Sequence, residues 1–348
     1  MMQPPTWTTE HGGPDSGPPI LHDFSSNANP LGAPDSVVQA LQMADRQRYP
    51  DPDYRALRES LAHSLGTHAA RVLPTAGSSE AIRRLTLAAF LCGVRQVWVP
   101  QPGYGDYQAA AQALGLQVQG YATGEALLSA LTSQAGPSLV WLCEPCNPTG
   151  QSLPPSFWSA LASLRHQRAG LTLALDRAYE PLRLVGQDPV PAALAEQCWQ
   201  LCSPNKALGL TGVRAGYAIA PADDPHISMT DFQILAPSWV VSAEGVAMLL
   251  AWHQPDTQAW LARSRLTLAL WMASQQTALA HAGWHCEPSV VPFMLARPAH
   301  AVGFLRAHGI KLRDATSFGL PGWVRLSAQA PHAQQALFQT LTQMETAR

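Results

Sequence analysis

The chain has 348 residues, 47% of them hydrophobic, a length and composition suited to about two globular domains. With 22 basic against 24 acidic side chains the net charge is −2, which argues against a polyanion-binding surface. No apolar run reaches the ~18 residues of a membrane span, and Met1 to Pro19 has neither the basic start nor the apolar stretch of a signal peptide. Reduced cysteines and a cytoplasmic location are the expectation. In chain order, residues 1–34 are rich in Pro, Gly, Ser and Asn and read as an extended arm. A short helix follows over Asp35 to Ala44, with Asp35 or Ser36 as its cap. Tyr54, Leu57, Leu61 and Leu65 recur at spacings of three and four; Asp53 can cap that helix and Gly66 can end it.

A strand ending near Pro74 opens an alternating stretch. Helices are expected over Ser78 to Gly93, Tyr104 to Leu114, Glu125 to Ser133 and Pro155 to His166. Strands are expected over Gln96 to Pro100, Leu116 to Tyr121, Ser138 to Cys143 and Leu171 to Leu175. Continuous apolar strands between amphipathic helices mark an α/β domain whose mostly parallel sheet is covered on both faces. After Pro221, two long helical stretches (Val240 to His253, Asp256 to Ala282) lead into a small α+β domain. The division expected is an arm over 1–34, a large α/β domain over 35–235 and a small domain over 236–348 joined by the N-terminal segment.

Ligands of an open α/β sheet bind beyond the carboxyl ends of its strands. The first such segment is Gly77-Ser78-Ser79, which offers free N–H donors at a helix start. It is either a phosphate nest or an ordinary serine cap. Tyr104 follows the second strand and either stacks on a planar ligand or covers the core edge. Asn147 lies in a loop stiffened by two prolines. The Cys143-x-x-Cys146 spacing does not favour a metal, because no second pair lies near it. Asp176 follows a buried strand, where a carboxylate needs a partner; a protonated ring nitrogen is one, and a salt bridge to Arg177 or Arg183 is the alternative. Tyr179 comes three residues later.

Of the 22 basic residues only two are lysines, Lys206 and Lys311. Lys206 stands among glycines and small apolar residues, where the neutral, nucleophilic amine is favoured. Lys311 alternates in a short strand and reads as a solvated surface residue. Arg214, in a Gly-rich segment, suits a phosphate.

The order of these features is specific as a set: nest, aromatic, Asn-Pro-x-Gly, Asp-x-x-Tyr, Ser-x-x-Lys, then Arg. From about His11 to Ser327 the chain resembles fold type I enzymes that use pyridoxal 5′-phosphate, in particular the class I/II aminotransferases. The resemblance implies that Lys206 bonds the cofactor aldehyde and Asp176 pairs with its pyridine nitrogen. It implies that Asn147 and Tyr179 hold the phenolic oxygen and that Tyr104 stacks on the ring. Gly77, Ser78, Ser79, Ser203 and Arg214 would hold the cofactor phosphate, together with Tyr49 of Arg48-Tyr49-Pro50 from a neighbouring subunit, so a homodimer with shared sites is expected. Arg325 matches the arginine for a substrate carboxylate. Asn205 departs from the serine or threonine usual before the lysine.

Two subgroups compete. The histidinol-phosphate aminotransferases share the Asn-Pro-x-Gly and Arg-Tyr-Pro features. The arm, His11-Gly12-Gly13 and then Asp23 to Gly32 (DFSSNANPLG), looks like that of the threonine-phosphate decarboxylases of cobalamin biosynthesis. In that subgroup His11, Gly12, Asn29 and Arg313 would contact substrate, although Pro14 departs from its pattern. Either reading makes the partner a phosphorylated small molecule, with no nucleic acid, membrane or metal. A regulatory module without turnover is the remaining alternative; the chain has no basic DNA-binding region to support it.

Overall fold

The computed structural model describes residues 11–346 apart from Ala135, Ala169 and Pro225, so the expectations for the first ten residues of the arm lie outside the described residues. Seven strands form the main sheet. Across it they run Val72–Thr75, Gly216–Ile219, Trp199–Cys202, Leu171–Asp176, Ser138–Cys143, Gln96–Pro100 and Gln117–Tyr121. Gly216–Ile219 is antiparallel to both of its neighbours, and every other pairing is parallel.

The central strands are buried on both faces because their side chains alternate between two cores. Leu139, Trp141 and Cys143 pack on Ile82, Leu85 and Tyr107 from helices Ser78–Leu91 and Gly105–Gln112. Val140 and Leu142 pack on Leu127, Trp158 and Leu161 from helices Gly124–Ser133 and Pro155–Gln167. A mostly parallel sheet with helices on both sides therefore agrees with the α/β expectation. The strands Trp199–Cys202 and Gly216–Ile219 are short and were not legible as strands beside the Gly-rich segment between them.

The 27-residue helix Pro255–His281 runs toward a second, four-stranded antiparallel sheet, ordered Arg313–Asp314, Val324–Ser327, Phe293–Arg297 and His285–Cys286. The N-terminal segment joins this end of the molecule: His22–Asp23 pairs in parallel with Ile310–Lys311.

Two helix starts differ from expectation. Pro34 occupies the cap position of Asp35–Gln42, and no side chain caps it. Before Arg55–Leu65 the capping carboxylate is that of Asp51 rather than Asp53, since it accepts from the Arg55 N–H at 3.1 Å while Tyr54 takes a left-handed backbone (φ 49°). Gly66 ends that helix at φ 64°, as expected.

One buried ion pair ties two loops at the ligand end of the sheet. Glu144, fully buried, accepts from Arg183 at 2.7 Å, from Ser152 Oγ at 2.5 Å and from the Leu153 N–H at 2.9 Å. Burial pushes its carboxyl pKa up, against the pull of these donors. Removing one partner of such a pair strands the other charge, at a cost of about 3–5 kcal/mol. Arg183→Met is therefore expected to lower the unfolding free energy by that amount, read as a lower denaturant midpoint at unchanged m-value; a loss under about 1 kcal/mol, the range of an exposed pair, would contradict it.

Candidate active site

Six of the seven strands end at the same edge of the sheet, and the segments following five of them meet there. Cys143 and Asp176 are register partners on adjacent strands, so the Asn147 loop and the Asp176 to Tyr179 turn leave the sheet side by side. A cavity of about 170 Å³ opens between them, and Ser78, Tyr104, Asp176, Ser203, Lys206 and Arg214 reach it.

The phosphate-nest reading of Gly77 gains a steric reason. Its φ is +89°, and a Cβ there would stand 2.7 Å from Nη2 of Arg214. Only glycine lets the guanidinium lie against this turn. The Ser78 N–H donates to Ser203 Oγ at 3.1 Å, and the two hydroxyls are 2.5 Å apart. Ser79 and Tyr104 share a hydroxyl contact at 2.9 Å. Two residues of one loop and a serine 125 positions away thus form a donor-rich end beside Arg214.

Asp176 is the last residue of its strand and is buried. The alternative partners are engaged elsewhere: Arg177 pairs with Asp188, and Arg183 with Glu144 and Glu180. Asp176 instead accepts from Tyr107 Oη at 2.7 Å and from the Ala178 N–H at 3.0 Å. Burial raises its pKa, and the Tyr107 hydrogen bond and the charge of Lys206 oppose that rise. Tyr107 was missed in the sequence. It lies in the first turn of Gly105–Gln112, one helical step from Tyr104, and stacks on Trp141 with centroids 4.9 Å apart. The signal was present in the Tyr-x-x-Tyr spacing, but nothing local shows that the second ring reaches a carboxylate 69 residues away.

Burial also depresses the Lys206 pKa, with Asp176 opposing and Arg214 reinforcing. Desolvation thus outweighs mutual attraction for both groups. The Lys206 backbone carbonyl accepts from the Asn29 N–H at 2.9 Å, and the Asn29 side chain donates to the Ala207 carbonyl at 3.0 Å. Asn29 braces the lysine segment and is not among the residues lining the outer cavity. Asn205, in place of the expected hydroxyl residue, holds the same segment by donating to the Val213 carbonyl at 3.3 Å, and its Oδ1 has no partner among the described residues.

A second, outer cavity of about 280 Å³ continues from the first, sharing Tyr104, Asn147, Tyr179 and Lys206. His11, Gly12, Arg313 and Arg325 reach it. Arg325 donates to Asn147 Oδ1 at 2.6 Å and to the Ser25 carbonyl at 2.7 Å, while its buried Nε has no partner among the described residues. Burial lowers its pKa to about 10; Tyr179 opposes this and Arg313 adds to it. Tyr179 Oη accepts from Asn27 at 3.3 Å. Tyr49 lies elsewhere: it is 75% exposed and stacks on Trp239 with centroids 4.1 Å apart.

Lys311 requires a correction. It is 6% exposed, and its ammonium donates to the Gly13 carbonyl at 2.5 Å and pairs with Asp15 at 3.0 Å. Alternation in a short strand was read as one solvated face, but the arm covers that face.

The donor set defines an enzyme class. A donor-rich phosphate nest, a buried carboxylate for a protonated ring nitrogen, and a desolvated amine near both fit pyridoxal 5′-phosphate, without a clash at Gly77. The comparisons agree. The profile of the family "Aminotransferase class I and II" matches residues 19–342. A histidinol-phosphate aminotransferase of Granulibacter bethesdensis is 32% identical, covering 87% of this chain and 84% of its own. A threonine-phosphate decarboxylase of Salmonella typhimurium is 31% identical, covering 70% of this chain and 69% of its own. Among solved structures, the histidinol-phosphate aminotransferase of Sinorhizobium meliloti in complex with pyridoxal 5′-phosphate superposes with a TM-score of 0.78 at 22% identity, over 94% of this chain and 92% of that one. The chain belongs to the class I and II aminotransferase family, and its cofactor is pyridoxal 5′-phosphate.

The depressed Lys206 pKa has a measurable sign. Between the lowered folded value and 10.5, the unfolded chain binds more protons than the cofactor-free folded protein, so stability rises with pH across that window. Lys206→Met lacks this contribution. The wild-type-minus-variant difference in unfolding free energy should grow as pH approaches 10.5. Denaturant titrations of the cofactor-free proteins at several pH values read it, and a difference that falls with pH contradicts the assignment.

Proposed function

We propose that the chain decarboxylates L-threonine O-3-phosphate to (R)-1-amino-2-propanol O-phosphate, a step of cobalamin biosynthesis. One observation carries this reading. Arg313 and Arg325 are directly opposite on antiparallel strands, so both side chains stand on the same face of the small sheet. They are 3% and 6% exposed, and both guanidinium groups approach the Phe318 ring, at 4.8 and 5.7 Å from its centroid. Both line the outer cavity. A ligand with two anionic groups would match two cations there, and a phosphorylated amino acid carries a phosphate and a carboxylate. The His11-Gly12 arm at the same cavity supports the decarboxylase subgroup.

Lys206 is the residue proposed to bond the cofactor, Asp176 to face its ring nitrogen, and Asn147 and Tyr179 to hold its phenolic oxygen. Ser78, Ser79, Ser203 and Arg214 take its phosphate, and Tyr104 covers its ring. When bound, the cofactor supplies a sink for the electron pair left at Cα as carbon dioxide departs. Arg325, oriented by Asn147, grips the carboxylate, and Arg313 and the arm grip the phosphate. These two grips set which Cα bond is turned for cleavage. Nζ of Lys206 then delivers the proton that replaces the carboxylate on Cα. The exposed Tyr49–Trp239 pair supports a homodimer in which Tyr49 serves the neighbour's phosphate site. Among the described residues no helix is long and apolar enough to cross a membrane, in keeping with a proposed cytoplasmic location.

The second reading, an aminotransferase acting on histidinol phosphate, is favoured by the longer coverage of the Granulibacter relative. Product analysis with both substrates decides. Carbon dioxide and aminopropanol phosphate from threonine phosphate are expected; amino transfer from histidinol phosphate to 2-oxoglutarate without carbon dioxide overturns the reading. Lys206→Ala should fold yet lose the visible absorbance of the lysine-bound cofactor. Arg325→Ala should lower kcat/KM at least about 30-fold, as for the loss of a buried charged hydrogen bond. Full activity in either variant rejects these roles. Sedimentation of the holoenzyme should show a dimer, and a monomer with full activity rejects the shared site.

A further inference from the structure

The arm that lines the outer cavity is held by contacts that the cofactor and substrate roles above do not use. Gly12 lies so close to the next segment that a Cβ would stand 2.2 Å from the Ser25 carbonyl oxygen, and Gly13 has φ +87°. The Gly13 N–H donates to Ser25 Oγ at 2.9 Å, and that hydroxyl donates to Asp23 at 2.6 Å. On its other side the Gly13 carbonyl accepts from Lys311 at 2.5 Å. Two residues on, Asp15 accepts from Arg306 at 2.5 and 3.1 Å and pairs with Lys311 at 3.0 Å; Arg306 also donates to the Pro18 carbonyl at 2.5 Å. The paired cations hold the Asp15 carboxyl well below the usual carboxylate range.

The location of Lys311 gives this cluster its consequence. Lys311 and Arg313 flank buried Leu312, so they share a face, and Arg313 stands opposite Arg325. Three cations thus follow one another along one face. The inner two serve the cavity. The outermost pairs with Asp15 of the arm, whose neighbours His11 and Gly12 line the outer cavity.

We propose that Lys311, Asp15 and Arg306 are positioning residues: an ionic latch that fixes the arm as the wall of the substrate cavity and so sets affinity for a phosphorylated substrate. The proposal rests on the reading of the outer cavity as the substrate site. None of the three groups lines the cavity, so they act through the backbone of the arm and not on the reacting atoms.

The test uses holoenzyme carrying Lys311→Met, Asp15→Asn or, as the conservative control, Lys311→Arg. Two readouts are taken. Amide hydrogen exchange of residues 11–18 needs no substrate, and it should speed up in the first two variants and recover in the third. Steady-state kinetics use whichever of threonine phosphate or histidinol phosphate the wild type turns over. There KM should rise about tenfold, the loss expected for a charge-assisted hydrogen bond, with kcat changed less than about twofold. Cofactor absorbance should be unchanged. Exchange at the wild-type rate overturns the latch. Faster exchange with unchanged KM overturns its role in binding, as does a fall in kcat alone. If Lys311→Met fails to fold, Asp15→Asn, which removes one charge at a partly exposed position, carries the same test. Wild-type protein inactive on both substrates would refute the functional reading, while the exchange result would still decide the latch.

Discussion

Desolvation of a single amine and a single carboxylate in one cleft is the constraint around which this molecule is arranged. Neither group gains enough from the other to recover its lost hydration: burial lowers the Lys206 pKa and raises that of Asp176. On the proposed reading, such a pair remains costly until a ligand supplies what each lacks, an electrophilic carbon for the amine and a cation for the carboxylate, and pyridoxal phosphate carries both on one planar ring. The protein keeps the two ready by fixing them from behind. Tyr107 and the Ala178 N–H hold Asp176, and Asn29 and Asn205 hold the backbone on either side of Lys206.

The sheet makes this arrangement possible. Parallel strands deliver successive loops to one edge, so residues far apart in sequence converge without long connections. Cys143 and Asp176 end neighbouring strands in register, and Glu144 and Arg183 then tie the two departing loops together. Asn147 and Tyr179 are carried on those loops. A change in the ion pair would therefore reach the ligand through backbone position, without any contact of its own.

The small sheet has a different task. Its strands Arg313–Asp314 and Val324–Ser327 place Arg313 and Arg325 opposite each other, and Arg325 donates to Asn147 and to the Ser25 carbonyl, while in the neighbouring two-stranded sheet Lys311 pairs with Asp15 of the arm. The N-terminal segment reaches this region from the opposite end of the chain by pairing with Ile310–Lys311.

Much of this was written locally. Apolar runs such as Ser138–Cys143, flanked by helical periods, determined a covered parallel sheet, because backbone burial on both faces demands such runs. The scarcity of lysine singled out Lys206 as a candidate, and the ordered motifs carried the family resemblance that implied the cofactor. Other features depended on distant partners. Tyr107 meets Asp176 across 69 residues, Asn29 hydrogen-bonds the lysine segment, and Lys311 lies beneath the arm instead of in water. Sequence pattern determines which face of an element is apolar, because that depends on its own period. Only the tertiary structure decides what covers a polar face, because a charge is solvated or paired according to chain that arrives from elsewhere.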